Sequence, residues 1–405
     1  MSEQGTGPRD TITGFREWMA VIVMLSGGTM LALMVSALAP VMHLVSAHFA
    51  GKRDGDLVAQ MVVSVPSIGV ITGGLVSGWL MRILGSKRLF LFSLAVFGVG
   101  GSAGLYLDDV LVLLVARYIL GLGIAGIVTA MISLIGENFT AKARARVLGW
   151  QSAAGAGSGV AVLYLAGGIG DWGGWRAPFG LYLLPFLVIV LGAIYLPPSP
   201  RGARKTAASP PVDWMALVRL WPLYVVMIPM FVAVYMPSIQ VSFLLRDDGI
   251  LGAKVQSYVI LTGAAVVALA ALSYGWLSRR LTPGQNFLAC FVFQGAGIII
   301  MGLSHGAVGV AAGCGVLGIG TGISNPLISD WIIGRTSLEM RGPAIGLSYT
   351  ARYLGDFFNP WIMLPLGRAL GLHTAFLWVG ATFLAGVVVA TIWRQAAGKP
   401  APAAG

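Results

Sequence analysis

The stretch Gly78-Trp79-Leu80-Met81-Arg82 has a second copy, Gly275-Trp276-Leu277-Ser278-Arg279, that begins 197 residues further along the chain. One such match arises easily by chance, but one gap-free separation shared by several segments does not. The sequence therefore predicts two similar halves in tandem. Further pairs with this separation are Leu120-Gly121 with Leu317-Gly318, Arg144 with Arg341, Gly149 with Gly346, Pro40 with Pro237, and Phe179 with Phe376.

Composition places both halves in a membrane. Of the 405 residues, 57% are hydrophobic and only 10% are charged, whereas a soluble domain carries about 25% charged residues. About 20 apolar residues cross a bilayer. We therefore expect an all-α membrane protein with twelve transmembrane helices in two parallel-repeat six-helix bundles. The predicted spans are 18–42, 57–81, 89–107, 110–136, 147–170, 177–196, 216–244, 256–277, 285–304, 307–333, 343–367 and 372–393.

Residues 197–214, PPSPRGARKTAASPPVDW, break the apolar pattern at the midpoint. They predict a cytoplasmic linker between an N-terminal bundle, 1–196, and a C-terminal bundle, 215–405. With a cytoplasmic N-terminus, eighteen Lys and Arg residues fall in cytoplasmic segments and six on the opposite side. This bias predicts an inner-membrane protein with both termini in the cytoplasm. It also accounts for the net charge of +11 without a nucleic-acid partner.

The loop after the second span carries a known motif. Gly78-Trp79-Leu80-Met81-Arg82-Ile83-Leu84-Gly85-Ser86-Lys87-Arg88 resembles the G-x-x-x-D-R-x-G-R-R/K motif of the major facilitator superfamily. Gly78, Gly85, Lys87 and Arg88 match it, but Arg82 occupies the acidic position. In that family the carboxylate helps to latch the two halves on the cytoplasmic side. The resemblance therefore implies that the latch of this chain differs.

Two further segments carry the same resemblance. Arg117-Tyr118-Ile119-Leu120-Gly121-Leu122-Gly123 fits the family's R-x-x-x-G-x-G pattern in helix 4. Gly159 and Gly167-Gly168 fit the antiporter motif of helix 5, although Leu163-Tyr164 replace its central Gly-Pro. The resemblance implies a monomeric secondary carrier of a small molecule that works by alternating access. No P-loop occurs, so energy would come from an ion gradient, with protons as the expected ion.

Ionisable side chains at membrane depth are functional hypotheses by default. Arg352 and Asp356 are four residues apart near the middle of the eleventh span, so they share a helix face. They form either a closed ion pair or a site where Asp356 takes a proton and releases Arg352 to substrate. Asp356 is our candidate for the coupling carboxylate. Arg117 is either a cavity cation or a structural donor to backbone carbonyls, and Asp330 serves a gate or a proton relay.

A second group of residues is expected at the cavity and at the gate. Glu137 and Arg144, with Lys87 and Arg88, predict a cytoplasmic charge cluster. Arg82 and its repeat partner Arg279 are expected near Glu137, Asp330, Glu339, helix C-termini or lipid phosphate. Polar and aromatic residues on the other helices predict a mixed cavity, although each alone is more often a packing contact. These are Gln151, Tyr164, Tyr224, Tyr235, Gln240, Asn325, Tyr349 and Asn359, of which Gln151, Tyr235, Gln240 and Asn325 join the predicted substrate pathway.

No catalytic constellation occurs, and neither a cofactor nor a metal site is expected. His43, His48, His305 and His373 fall at the outer ends of predicted spans, where solvated interface residues are favoured over a metal site or a pH sensor. Within transport, efflux of drugs or metabolites competes with uptake of a small organic anion. The glycines of helix 5 favour efflux, whereas Arg117 and Arg352 favour an anion. A non-transporting receptor on the same scaffold is the remaining alternative.

Overall fold

A computed structural model describes residues 14–51, 53–198, 214–337 and 340–397, together with Asp10 and Ile12. Helices account for nearly all of this part of the chain, as predicted. Thirteen α-helices are present in it: α1 Phe15–Ser36, α2 Met42–Phe49, α3 Gly55–Ser102, α4 Val110–Asn138, α5 Ala141–Gly173, α6 Leu184–Tyr195, α7 Trp214–Val218, α8 Trp221–Asp247, α9 Ala253–Leu277, α10 Pro283–Leu303, α11 Ala307–Ile333, α12 Arg341–Leu370 and α13 Leu372–Ala397.

The helix α3 contains two membrane spans. Its 48 residues would extend about 70 Å at 1.5 Å per residue, which is more than twice the thickness of a hydrocarbon core. Gly85 interrupts it with φ 74° and ψ 166°, a conformation that favours glycine because a Cβ atom would clash there. The break falls between the second and third predicted spans, so the motif glycine forms the turn between them.

Ten helical segments of the described chain are long and apolar enough to cross a membrane. One of them, Gly55–Leu105, includes both arms of α3. The helix α12 is not among these ten segments because polar side chains interrupt its apolar sequence, although its 30 residues are long enough to span a bilayer. Counting both arms of α3 and adding α12 gives the twelve spans expected from the sequence.

The chain divides into two compact units. Unit 1 comprises residues 1–212 with 252–257, and unit 2 comprises 213–251 with 258–405. Most of the predicted linker lies outside the described residues. One pair of helix starts keeps the separation of the sequence repeat: α4 begins at Val110 and α11 at Ala307, again 197 residues apart. That the two halves superpose in this register stays a prediction.

Small residues let the helices of each unit approach closely. In unit 1, a Cβ atom on Gly121 of α4 would collide with the backbone oxygen of Pro66 on α3. In unit 2, one on Gly297 of α10 would meet the backbone of Gly313 on α11 at 2.7 Å. No hydrophobic force draws membrane helices together, so the van der Waals contacts made at such close approach contribute to their association. This packing holds the site residues described next.

Candidate functional site

A cavity of about 170 Å³ lies within unit 2, lined by α8, α11 and α12. Its lining residues on α11 and on α12 follow the spacing i, i+3, i+4, i+7, which marks one face of a helix. Each helix therefore presents one stripe to the same space. The lining consists of Met227 and Phe231 from α8, Asn325, Ile328, Ser329 and Ile332 from α11, and Ile345, Ser348, Tyr349 and Arg352 from α12.

Arg352 is the charged residue of this lining. Its Nε donates to the hydroxyl of Tyr235 at 3.2 Å, and its Nη1 donates to Oδ1 of Asn325 at 3.2 Å. The guanidinium carbon lies 5.1 Å from the ring centre of Phe231. Both hydrogen bonds end on neutral oxygens and use two of the five N–H donors that a guanidinium carries. Donors and a positive charge therefore remain for an anion in the cavity.

Three of the residues predicted from the sequence, Arg352, Asn325 and Tyr349, line the cavity, a fourth, Tyr235, contacts Arg352, and Asp356 lies one turn away. Tyr235, which is only 4% exposed, does not line the cavity, but its hydroxyl accepts the hydrogen bond from Nε of Arg352. Asp356 is 2% exposed and lies one turn further along α12. A carboxyl group at this position is shielded from water, and the residue one helical turn before it is an arginine.

Gln240 and Asp330 do not line this cavity, so their place in the substrate pathway stays a prediction. Gln240 is fully buried, and its Nε2 donates to Oδ1 of Asn359 at 2.8 Å. Asn359 in turn donates to the backbone oxygen of Val232 at 2.9 Å, so the two amides join α8 to α12. Asp330 is exposed near the end of α11, where its Oδ2 accepts a bond from the hydroxyl of Tyr274 at 3.1 Å.

Arg117 is enclosed within unit 1, with no exposed surface. Its Nε donates to the backbone oxygen of Val62 at 2.9 Å, and its Nη2 donates to the hydroxyl of Tyr182 at 3.2 Å. Its charge lies 5.0 Å from the ring centre of Tyr182 and 5.8 Å from that of Phe179. This arrangement matches the structural alternative rather than a cavity cation. Gln151, the other unit 1 residue of the predicted pathway, is half-buried on α5.

The motif residues after the second span bind mainly to helix ends. Lys87 donates to the backbone oxygens of Ala193 and Leu196, at 3.1 and 2.6 Å, at the end of α6. Arg144 donates to the oxygen of Gly136 at 2.9 Å, near the end of α4. Positive side chains favour these carbonyls because the helix dipole is negative there. The expected charge cluster is thus built largely on backbone oxygens.

The remaining gate residues have few packing constraints. Glu137 is exposed and accepts a bond from the hydroxyl of Ser86 at 2.6 Å. Arg82 and Arg88 are exposed, and a Cβ atom added to Gly78 would meet nothing within 4 Å. In unit 2, the Nε of Arg279 donates to the oxygen of Gly275 at 3.0 Å, a helix C-terminus as predicted. Glu339 lies outside the described residues.

Sequence reasoning missed most of the cavity lining. Ser329 and Ser348 are small polar residues, and Phe231 is an aromatic residue in an apolar helix, so none stands out alone. The signal lies in their spacing. The residues at 325, 328, 329 and 332 and those at 345, 348, 349 and 352 repeat one helical stripe on two helices. Polar residues that repeat at the spacing i, i+3, i+4, i+7 therefore indicate the cavity-lining faces of α11 and α12.

Known proteins resemble the chain over most of its length. Residues 24–360 match the model of the Major Facilitator Superfamily. The 3-(3-hydroxy-phenyl)propionate transporter of Escherichia coli K12 is 24% identical over 340 residues, which cover 81% of this chain and 82% of that protein. The cis,cis-muconate transport protein of Acinetobacter baylyi is 24% identical over 362 residues, which cover 83% of this chain and 85% of that protein.

Other similarities are more partial or concern the fold alone. The chain spans only about a quarter to a third of the length of relatives named for myo-inositol, niacin, glucose and arabinose. Among solved structures, the inward-open xylose transporter XylE from E. coli has a TM-score of 0.72 at 14% identity, covering 92% of this chain and 95% of that one. At this identity the likeness shows a shared fold and not a substrate.

Proposed function

The chain belongs to the Major Facilitator Superfamily, and we propose that it is a proton-coupled secondary transporter that takes up a small organic carboxylate. The observation that carries this proposal is Arg352, whose guanidinium borders a cavity in unit 2 while two of its nitrogens bind neutral oxygens. A carboxylate in that cavity would receive the remaining N–H donors as charge-assisted hydrogen bonds. Such bonds are about twice as strong as neutral ones.

The rest of the lining fits the hydrocarbon part of such a substrate. Phe231 and Tyr349 supply rings, and Met227, Ile328, Ile332 and Ile345 supply aliphatic walls. Ser329 and Ser348 add two hydroxyl groups that can bond to a substrate oxygen. The cavity volume of about 170 Å³ lies below the roughly 300–1,000 Å³ of pockets for drug-sized ligands, so the cavity suits a small molecule.

The similarity to two acid transporters supports this substrate class. Two relatives that the chain matches over more than four-fifths of their length are named for carboxylates, one aromatic and one an unsaturated diacid. The relatives named for sugars and polyols match over much shorter stretches. These names support an organic anion, rather than a sugar or a polyol, as the substrate.

Proton coupling is assigned to Asp356. Burial of a carboxyl group favours its protonated form, whereas a nearby guanidinium favours the ionised form. The proton affinity of Asp356 would therefore depend on whether Arg352 is engaged by a substrate carboxylate. A site whose affinity differs between two states is what coupling requires. A partial relative, the arabinose–proton symporter of E. coli, is 25% identical over 176 residues and supports the choice of ion.

We further propose a monomer in the inner membrane with both termini in the cytoplasm. The excess of Lys and Arg in alternate loops supports this orientation. Cysteine labelling from either side checks it, because the chain has only two native cysteines, Cys290 and Cys314, and both are buried. A single cysteine introduced at exposed Arg82 should react with an impermeant reagent from the cytoplasmic side alone.

Uptake into proteoliposomes with an imposed inward proton gradient tests the function. The probes are 3-phenylpropionate, its neutral amide 3-phenylpropionamide, and xylose as a sugar. We expect concentrative uptake of the acid, little uptake of the amide, and collapse of accumulation with an uncoupler. Accumulation of xylose but not of the acid would overturn the substrate class. Accumulation of the acid that survives the uncoupler would overturn the coupling.

The variant Asp356→Asn separates coupling from binding. It should retain downhill exchange of the acid and lose accumulation driven by the proton gradient, because an amide keeps the shape of the side chain but cannot titrate. Asn325→Ala is a control from the same cavity that leaves Asp356 in place, so it should weaken binding and preserve coupling. Proton-driven accumulation by Asp356→Asn would contradict the assignment of this carboxyl group.

A further inference from the structure

Three potential metal ligands meet at one end of unit 2, away from the cavity lining. Asp248 follows α8 directly, His305 lies between α10 and α11, and His373 is in the first turn of α13. Oδ1 of Asp248 lies 3.1 Å from Nε2 of His373 and 3.3 Å from Nδ1 of His305. Within the described residues this is the group whose ligand atoms all lie within 4.8 Å of one another.

Hydrogen bonds around the cluster fix the state of His373. Its Nδ1 lies 3.1 Å from the backbone oxygen of Gly302. A carbonyl oxygen can only accept, so Nδ1 carries a hydrogen and a neutral ring presents the lone pair of Nε2 to Asp248. Two acceptors 3.1 Å apart repel each other unless a cation lies between them. That cation is either a second proton on His373 or a metal ion.

The carboxylate is oriented in the same way. The backbone N–H of Gly306 donates to Oδ2 of Asp248 at 2.8 Å, which leaves Oδ1 directed at both histidines. Backbone partners that orient both a ligating histidine and a ligating carboxylate are typical of metal sites.

The equivalent end of unit 1 supplies its own cation. His305 and His373 each lie 197 residues after a residue of another cluster, Asp108 and Arg176. There, Arg176 forms an ion pair with Asp108, and Nε2 of His48 lies 3.0 Å from the same carboxylate. The guanidinium thus neutralises the carboxylate of unit 1. In unit 2 the position of that arginine holds a histidine, which can bind a metal ion in its place.

We propose that Asp248, His305 and His373 bind a divalent transition metal ion, with zinc as the best match. Zinc binds imidazole nitrogens and carboxylate oxygens at about 2.0–2.2 Å, so the ligand atoms of a tetrahedral site lie about 3.3 Å apart. The separations of 3.1 and 3.3 Å from Oδ1 agree with this value. The two histidines need to approach each other, and the side chain of His305, at 75% exposed, is free to move.

Three protein ligands leave the fourth tetrahedral position to water or to a passing ligand. The bound ion would join the end of α8 to the loop before α11 and the start of α13, so it would stabilise unit 2 at that end. This role is independent of the cavity around Arg352 and of its proposed substrate. A failure to bind zinc would leave the transport proposal unaffected, and the reverse also holds.

Zinc titration of the full-length chain tests the site. The protein is purified with a tag that contains no histidine, cleared of metal with a chelator, and placed in lipid nanodiscs. Isothermal titration with ZnCl₂ should show one tight site per chain. His305→Ala should weaken binding by at least about 100-fold, since loss of a ligand exceeds the 10–100-fold effect of losing an outer partner. The unfolding temperature of the metal-free variant should equal that of the wild type.

The histidine of the unit 1 cluster provides the matched control. His48→Ala removes a histidine that contacts a carboxylate in the same way, and it should leave zinc affinity unchanged. Co²⁺ in place of zinc should give visible absorption bands of tetrahedral type, which His373→Gln abolishes. A wild-type chain that binds no zinc would show that a proton bridges His373 and Asp248, and would overturn the proposal. Equal zinc affinity in His305→Ala and wild type would overturn it as well.

Discussion

Each unit contains an arginine at membrane depth, and the two are held in opposite ways. Arg117 in unit 1 has no exposed surface and donates to a backbone oxygen and to a tyrosine hydroxyl. Arg352 in unit 2 also donates to a tyrosine hydroxyl, but it borders a cavity. The first has its charge enclosed between aromatic rings, whereas the second presents charge to a space that a solute can occupy.

This difference shows that depth in the membrane does not by itself mark a functional arginine. A guanidinium fits any site that supplies carbonyl oxygens and aromatic faces, because it combines a fork of donors with a flat, weakly hydrated surface. Arg117 satisfies these conditions inside its own unit and serves to join α4 to the segments that carry Val62 and Tyr182. The face of the helix on which the residue lies decides between the two roles.

The largest effect is expected on transport when Arg352 is replaced. Arg352→Met removes the charge and keeps much of the volume, so carboxylate uptake should fall by about 100-fold or more, as for truncation of one partner in a desolvated charge pair. Initial uptake rates in proteoliposomes measure it. Arg352→Lys should recover part of the activity, since it restores the charge without the fork. Uptake by Arg352→Met at the wild-type rate would show that Arg352 does not bind the substrate and would contradict the functional difference between Arg352 and Arg117.

The next largest effect is expected on stability when Arg117 is replaced. Arg117→Met leaves the buried oxygen of Val62 without its donor, which costs about 1–3 kcal/mol, and removes the bond to the hydroxyl of Tyr182, worth about 1 kcal/mol. Removal of a buried charge offsets part of this cost, so we expect the free energy of unfolding to fall by about 2–3 kcal/mol. Unfolding in mixed micelles measures it. Arg352→Met, measured alongside, should lose less stability than Arg117→Met.

The sequence predicts where these arginines lie along the helices but not which way they point. Apolar run lengths locate the spans, and the motif glycine locates the turn at Gly85. Arg117, Gln240 and Arg352 all appear as polar residues in apolar helices, and single-residue chemistry treats them alike. Their burial depends on neighbours distant in sequence, such as Tyr182 for Arg117 and Asn359 for Gln240. Only the stripe spacing of α11 and α12 gives a local signal of the cavity.

The contacts of the histidines in the cluster of Asp248, His305 and His373 also could not be predicted from the residues next to them in the sequence. Histidines at the ends of spans are ordinarily solvated, and nothing near His305 or His373 in the sequence distinguishes them. The 197-residue repeat does distinguish them, because it aligns them with Asp108 and Arg176. The repeat therefore shows that two charged residues of the first half, Asp108 and Arg176, are replaced by histidines in the second half. It does not identify Asp248, which has no acidic counterpart in the first half.

A smaller effect is expected from replacing the two tyrosines whose hydroxyls accept hydrogen bonds from the arginines. Tyr182 accepts from Arg117 and donates to the backbone oxygen of Leu33 at 3.1 Å, so Tyr182→Phe breaks two buried bonds and should cost about 1–2 kcal/mol of stability. Tyr235→Phe should instead alter the apparent affinity for the carboxylate, since the hydroxyl orients Arg352. Unfolding and uptake are measured for both variants. Equal profiles for the two would mean that the arginines have the same role.

The smallest effect concerns Gln240 and Asn359, which the sequence placed with the cavity residues. The bond between these amides is buried and joins α8 to α12, so it should contribute to stability alone. Interhelical bonds in membrane proteins average about 0.6 kcal/mol in double-mutant cycles, because the unfolded chain in the membrane also finds partners. A double-mutant cycle of Gln240→Leu and Asn359→Leu should give a coupling energy of that size. Uptake of the carboxylate should stay within about twofold of wild type.

The cycle is informative because Gln240 lies on the same helix as Phe231, which does line the cavity. If Gln240→Leu reduced uptake as strongly as Arg352→Met, the cavity in unit 2 would extend to a face of α8 that is closed in this structure, and burial would no longer separate structural from functional polar residues.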